Sequence, residues 1–159
     1  MSSTFRLKLL TPERTLSEED VLSVSLPTLT GEITILSGHV ALASLLVAGV
    51  VRIKRSAGEE ELAVSGGFIQ VSDKGQNVTV LADTAERGHE LDLIALEAAK
   101  ERARQVMREA IKQDDVSFAA AAAALERELA RHRVASRHQA HKQHPLADRA
   151  RIKHKDNNG

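Results

Sequence analysis

The side chains of this sequence that could do chemistry are its histidines, serines and carboxylates, and their spacing activates none of them as a nucleophile. No GxSxG elbow occurs, and His39 and His89 have no partner whose position the sequence fixes. The stretches SGG (residues 65–67) and GEITILSG (residues 31–38) contain glycine, but neither is a GxGxxG or GxxxxGK phosphate loop. Turns or bulges account for those glycines better. His138, His141 and His144 recur at every third residue, a spacing that on a helix brings imidazoles toward a shared divalent ion. A flexible basic tail is the simpler source of the pattern, so no metal site is expected. With no cysteine there is no thiolate cage, no disulfide frame and no cysteine nucleophile, and a reducing compartment fits.

Binding of nucleic acid is disfavoured on similar grounds. Tyr and Trp are absent and only Phe5, Phe68 and Phe118 are aromatic, which leaves little to stack on bases. Charge is unevenly placed: residues 1–88 carry 8 basic and 11 acidic side chains, whereas residues 131–159 carry 8 basic and 2 acidic. A cationic tail could attract anionic lipid or nucleic acid, but without a fold to hold it such binding is weak and erased by salt. The opening MSSTFRLKLLTPERT lacks the apolar centre of a secretory signal, so the chain is expected to stay on the cytosolic side. Residues 33–51 carry no formal charge, but Thr34, Ser37, Gly38, His39, Ser44 and Gly49 interrupt them. Two strands and a connector are expected there in place of a membrane helix.

The elements that position these residues fall into two kinds. From Phe5 to Ala82 the apolar pattern has period two, in short runs divided by TPER, SAGEE, SGG and SDKGQ. Short strands with polar turns, and no helical segment to make crossovers, predict a small antiparallel β-sandwich or barrel over residues 1–87. The period then changes. Leu91, Ala95, Ala99, Ala103, Val106 and Ala110 form one helical stripe between about Glu90 and Lys112, with Glu90 and Asp92 at the positive end of its dipole. After KQDDVS, with Asp115 or Ser117 as cap, Phe118, Ala122, Leu125 and Leu129 form a second stripe. The short connection predicts an antiparallel helical hairpin over residues 88–136, followed by an unstructured basic tail over residues 137–159.

Both helices place alanine where a stable bundle places leucine. Each alanine buries little area, so at about 25 cal/mol per Å² the seam is weak. Alanine's helix propensity nevertheless keeps the second helix formed without its partner. A helix stable by itself and loosely docked is able to leave and re-dock, but from pattern alone an ordinary small helical hairpin with a weak interface is the favoured reading.

Three stretches taken together resemble the epsilon subunit of the bacterial F-type ATP synthase. They are GEITILSGHVAL (residues 31–42), SGGFIQVSDKGQNVTVLADTAERGHELD (residues 65–92), and AAKERA, DDVSF and ALERELARHRVA on the helices. The resemblance implies a non-catalytic subunit of the central stalk in a proton- or sodium-translocating ATP synthase. It implies a sandwich that grips the gamma subunit and the c-ring, and a hairpin that either folds against the sandwich or extends toward the alpha and beta subunits to restrain ATP hydrolysis. It also implies a peripheral place on the cytoplasmic side of the inner membrane, without insertion. Glu32 and His39 match the family's ring-facing loop positions and are the expected rotor contacts. Thr34 and Ser37 stand where the family usually has glycine and proline, so the loop is expected to differ in shape.

Some relatives of that kind bind ATP between the helices through a motif of Ile or Leu, Asp, two variable residues, Arg and Ala. Here Leu91 and Asp92 match, but Ala95 and Leu96 replace the arginine and alanine. Glu86, Arg102, Arg127 and Arg131 match further positions of that site. Loss of the planar guanidinium fork removes donors that nothing nearby replaces, so pairing along the helices is the expected role of these charges and no cofactor is expected. Two alternatives remain: an ATP-sensing hairpin module, and a β-sandwich adaptor unrelated to any motor.

Overall fold

The structure is a computed structural model that describes residues 3–111 and 115–143. Eight strands come first: β1 (Phe5–Leu10), β2 (Thr15–Val21), β3 (Ser23–Thr28), β4 (Gly31–Leu36), β5 (Leu42–Arg55), β6 (Gly58–Ser72), β7 (Asn77–Ala82) and β8 (Ala85–Arg87). A 3-10 turn at Gly88–Glu90 leads into helices α1 (Leu93–Ala110) and α2 (Asp115–Gln143).

The strands run in the order β2-β1-β7-β6-β5-β3-β4, with β8 added to β6. Strands β5 and β6 are shared by both layers. The first part of β5 and the last part of β6 pair beside β7, while the last part of β5 and the first part of β6 lie between β3 and β8. The corner falls at Gly66 and Gly67, whose φ values are 150° and 135°. At Gly67 a Cβ would lie 1.8 Å from the Leu81 carbonyl oxygen, so this crossing of β6 over β7 tolerates only glycine. Alternation sends one side of every strand inward. Phe5, Leu7, Leu9, Val24, Leu26, Ile35, Val51, Ile53, Leu62, Ile69 and Val80 are almost wholly buried in one shared core.

The fold thus has the expected strand-built part followed by two helices, with differences in detail. Strands β1 and β7 pair in parallel, from Arg6 opposite Asn77 to Leu10 opposite Leu81. The lack of a helical crossover excludes parallel pairing only between strands adjacent in sequence. β1 and β7 are joined by the whole sandwich, so their parallel pairing needs no helical crossover. β5 and β6 are also long, at 14 and 15 residues, because each turns the corner and serves both layers.

The inward face of α1 is turned partway from the expected stripe. Ala95 is exposed and Val106 is 55% exposed, while Leu96 is buried and Met107 half-buried. Of the expected stripe Ala110 is buried and Leu91, Ala99 and Ala103 are half-buried, so the inward face keeps these and takes in Leu96, Lys100 and Met107 in place of Ala95 and Val106. Asp92 caps this helix, accepting from the Ile94 N–H at 2.9 Å. α2 begins by Asp115, which puts Ser117 inside the helix, and Phe118 is 39% exposed at its start. It also continues through Gln143, beyond the limit at residue 136 that fading periodicity implied. Helix formers such as Gln139, Ala140 and Lys142 sustain it without an apolar stripe. The expected cap at the Asp115 side chain, His144 and the rest of the tail lie outside the described residues.

Candidate functional site

The residues expected to act together are separated by the fold. Glu32 stands on β4 beside the β3–β4 turn, exposed, and accepts two hydrogen bonds from Arg52 Nη2 at 2.5 Å. His39 follows the other end of that strand. Its Nδ1 lies 2.7 Å from the Val40 carbonyl, and neighbouring Ser37 accepts from Gln76 in the β6–β7 turn at 3.5 Å. The extended run from Glu32 to Leu36 alone spans about 13 Å at roughly 3.3 Å per residue. The two side chains therefore mark opposite ends of one edge and form no joint site.

A row of exposed apolar residues on the sandwich was not foreseen from the sequence. Leu45 on β5, Phe68 on β6 and Leu81 on β7 are direct register partners, at 46%, 62% and 49% exposure. Half-buried Leu10 on β1, opposite Leu81, extends the row across a fourth strand. Because Ile69 and Val80 next to them point into the core, these side chains stand on the outer surface of the layer. A continuous apolar row with no cover within the described chain is a surface made for contact. The signal was present in GFIQV, but Phe68 and Ile69 are both apolar, so alternation alone could not say which faced out.

The outer surface of the other layer carries the hairpin. Val50, Ala63 and Glu86 are opposite one another on β5, β6 and β8, and Arg52 is opposite Glu61. α2 lies against them with Ala130 and Val134 packed on Ala63, supported by Val50 and Leu91. Arg131 donates to both oxygens of Glu86, from Nε at 2.6 Å and from Nη2 at 3.1 Å. Arg137 pairs with Glu61. Burial works against the Arg131 charge, and hydrogen bonding and attraction from Glu86 and Glu128 outweigh it, leaving its pKa raised. A separate buried line of α2, Ala121, Glu128 and Ala135, is continued by His132, whose Nε2 lies 2.9 Å from Glu97 of α1. One helix thus serves two neighbours through small residues on two faces.

Of the charges matched to a nucleotide site, only Glu86 and Arg131 are joined directly, and they neutralise each other. Asp92 is spent capping α1. Arg102 is exposed on α1, and Arg127 lies 3.7 Å from Glu128. The anchor of the hairpin is also visible: Arg14 Nη2 lies 2.6 Å from Glu90 Oε1, and Glu90 accepts from the Arg87 N–H at 2.8 Å. Those bonds hold the Glu90 carboxyl below its usual range, Arg14 first and then the Arg87 amide. Glu90 thereby ties the 3-10 turn to Arg14, between β1 and β2.

Comparison with known proteins agrees with this arrangement. The family model for the β-sandwich domain of the ATP synthase delta/epsilon chain matches residues 4–88. The ATP synthase epsilon chain of Syntrophomonas wolfei is 39% identical over 136 residues, which cover 85% of this chain and 96% of that protein. That of Caldanaerobacter subterraneus is 40% identical over 140 residues, covering 87% and 99%. Among solved structures, a chain of the Euglena gracilis mitochondrial ATP synthase, from an OSCP/F1/c-ring assembly, superposes with a TM-score of 0.66. It is 26% identical, and the match covers 77% of this chain and 76% of that one.

Proposed function

This chain belongs to the ATP synthase epsilon-chain family, and from that premise we propose that it is a rotor subunit of the central stalk whose hairpin regulates ATP hydrolysis. The supporting observation is the division of the sandwich surface. One outer face is taken by the hairpin, while the other presents Leu45, Phe68 and Leu81 uncovered. A subunit that transmits torque needs a rigid contact face that stays available whatever its regulatory element does. The gamma subunit is the partner proposed for the apolar row, and the c-ring the partner for the edge bearing Glu32 and His39. When the hairpin swings out at Leu91 and Asp92, the alpha and beta subunits become its partners.

The role proposed is mechanical, with bond-making left to other subunits. No described helix is long and apolar enough to cross a membrane, in keeping with a peripheral position that we assign to the cytoplasmic face of the inner membrane. Nucleotide is not proposed as a ligand. Ala95 lacks the guanidinium fork, and Arg131 and Glu86 satisfy each other. Calorimetry with magnesium ATP checks this: micromolar binding that vanishes in Asp92→Ala overturns it.

Co-purification tests the main reading. Full-length chain should recover gamma subunit and c-ring from detergent-solubilised membranes, and Phe68→Asp should lose gamma while keeping its strand circular dichroism. Undiminished recovery with Phe68→Asp removes the apolar row from the rotor contact. Failure of the unaltered chain to recover any motor subunit removes the reading itself.

A further inference from the structure

Gly88 stands at the start of the 3-10 turn, where α2 crosses the end of β8. A Cβ built on it would lie 2.5 Å from His138 Cβ, 3.0 Å from His138 Cγ and 3.2 Å from the Val134 carbonyl oxygen. All three atoms belong to α2. Gly88 is not among the residues with positive φ, so its own backbone suits any amino acid. The need for glycine here comes from the docked helix and not from the turn.

We propose that Gly88 is a keyhole: its missing side chain is what admits α2 to the sandwich, and any side chain at this position shifts the hairpin to its released state. The turn has little room to yield, because Gly88 directly follows β8 and Glu90 accepts from the Arg87 amide and from Arg14. Nor can His138 yield by rotating its ring, since the closest atom is its Cβ, which is fixed to the helix backbone. The whole end of α2 must move. What opposes that movement is modest: Ala130 and Val134 on Ala63, and the partly exposed pairs Arg131 with Glu86 and Arg137 with Glu61. Small apolar contacts and solvated ion pairs do not outweigh overlap at 2.5 Å.

The docking claim stands on this geometry alone, whereas its consequence for hydrolysis rests on the rotor reading above. The chain has no cysteine, so two introduced at the exposed positions Ala57 and Ala140 take spin labels without background. In the labelled full-length chain a single short distance is expected. Gly88→Ala should lose most of that short-distance population to longer distances, with unchanged strand circular dichroism. Adding His138→Gly removes the two closest atoms and should restore it.

Retention of the short distance in Gly88→Ala overturns the keyhole, as does failure of the double variant to re-dock. Loss of strand signal in Gly88→Ala overturns it too, because the contact would then serve the sandwich. In the assembled ATP synthase, Gly88→Ala should change hydrolysis at least several-fold. A shifted distance with unchanged hydrolysis leaves the keyhole standing and removes the regulatory half of the proposed function.

Discussion

Phe68 is 62% exposed, an expensive way to leave a benzyl group unless a partner covers it. A buried aromatic anchor is commonly worth about 2 kcal/mol or more at an interface, so, with gamma as the proposed partner of this row, Phe68→Ala should weaken its binding more than tenfold in a titration. Gly67 gives the opposite kind of test. Its φ of 135° and the nearby Leu81 carbonyl leave no place for a methyl group, so Gly67→Ala should cost the sandwich about 2–4 kcal/mol in urea unfolding. Charge supplies a third. Arg55 donates to Glu19 from Nε at 2.6 Å and from Nη2 at 2.7 Å, which with Ser17 holds the Glu19 carboxyl down at about 2 against an ordinary 4.5. A carboxylate whose pKa is lowered by folding adds stability above the unfolded value and loses it as pH falls through the folded one. Between pH 4.5 and 2 the sandwich should therefore lose on the order of 1 kcal/mol after solvent screening, and Glu19→Gln should flatten that part of the profile. None of these roles is readable from residue type, because each depends on which atom of a distant strand stands opposite.

At the scale of elements, the hairpin is assembled from contacts small enough to break separately. α1 owes its start to the Asp92 cap, and Asp92→Ala should cost that helix about 1 kcal/mol, seen as faster amide exchange in its first turn. α2 is held to the sandwich by an Ala–Ala and Val contact and two ion pairs. Arg131→Ala should therefore raise exchange at Val134 and Ala135 while leaving β6 and β8 protected. Raising the salt concentration should act in the same direction. The helical period was plain in the sequence, and so was the alanine content that makes the seam weak. The facing was not: Ala95 and Leu96 both fit a 3.6-residue repeat, and the neighbour decided that Leu96 turned inward. α2 in particular has two neighbours, so its buried residues divide between two lines and blur the single stripe that a local reading looks for.

For the whole molecule, the central observation is that, among the described residues, none on either helix belongs to the main core. That core draws on β1 to β8, while Ala130 and Val134 belong to a separate cluster with Ala63. Deleting residues 113–159 should accordingly leave the sandwich folded, with a melting temperature changed by only a few degrees, and should alter hydrolysis in the assembled enzyme. A sandwich that unfolds on deletion contradicts two independent cores. The two kinds of architecture and their boundary are legible in the residues alone, because apolar period is a local property: period two through Ala82, period 3.6 beyond Leu91. The residues alone also carry the family likeness, through runs such as SGGFIQV and NVTVLADTAE. The parallel pairing of β1 with β7, the outward turn of Leu45, Phe68 and Leu81, and the approach of α2 to Gly88 emerge only in the assembled fold. Each of these is a choice of partner between segments far apart in the chain. Such choices are made by the summed packing of the whole molecule, which no single stretch of residues encodes.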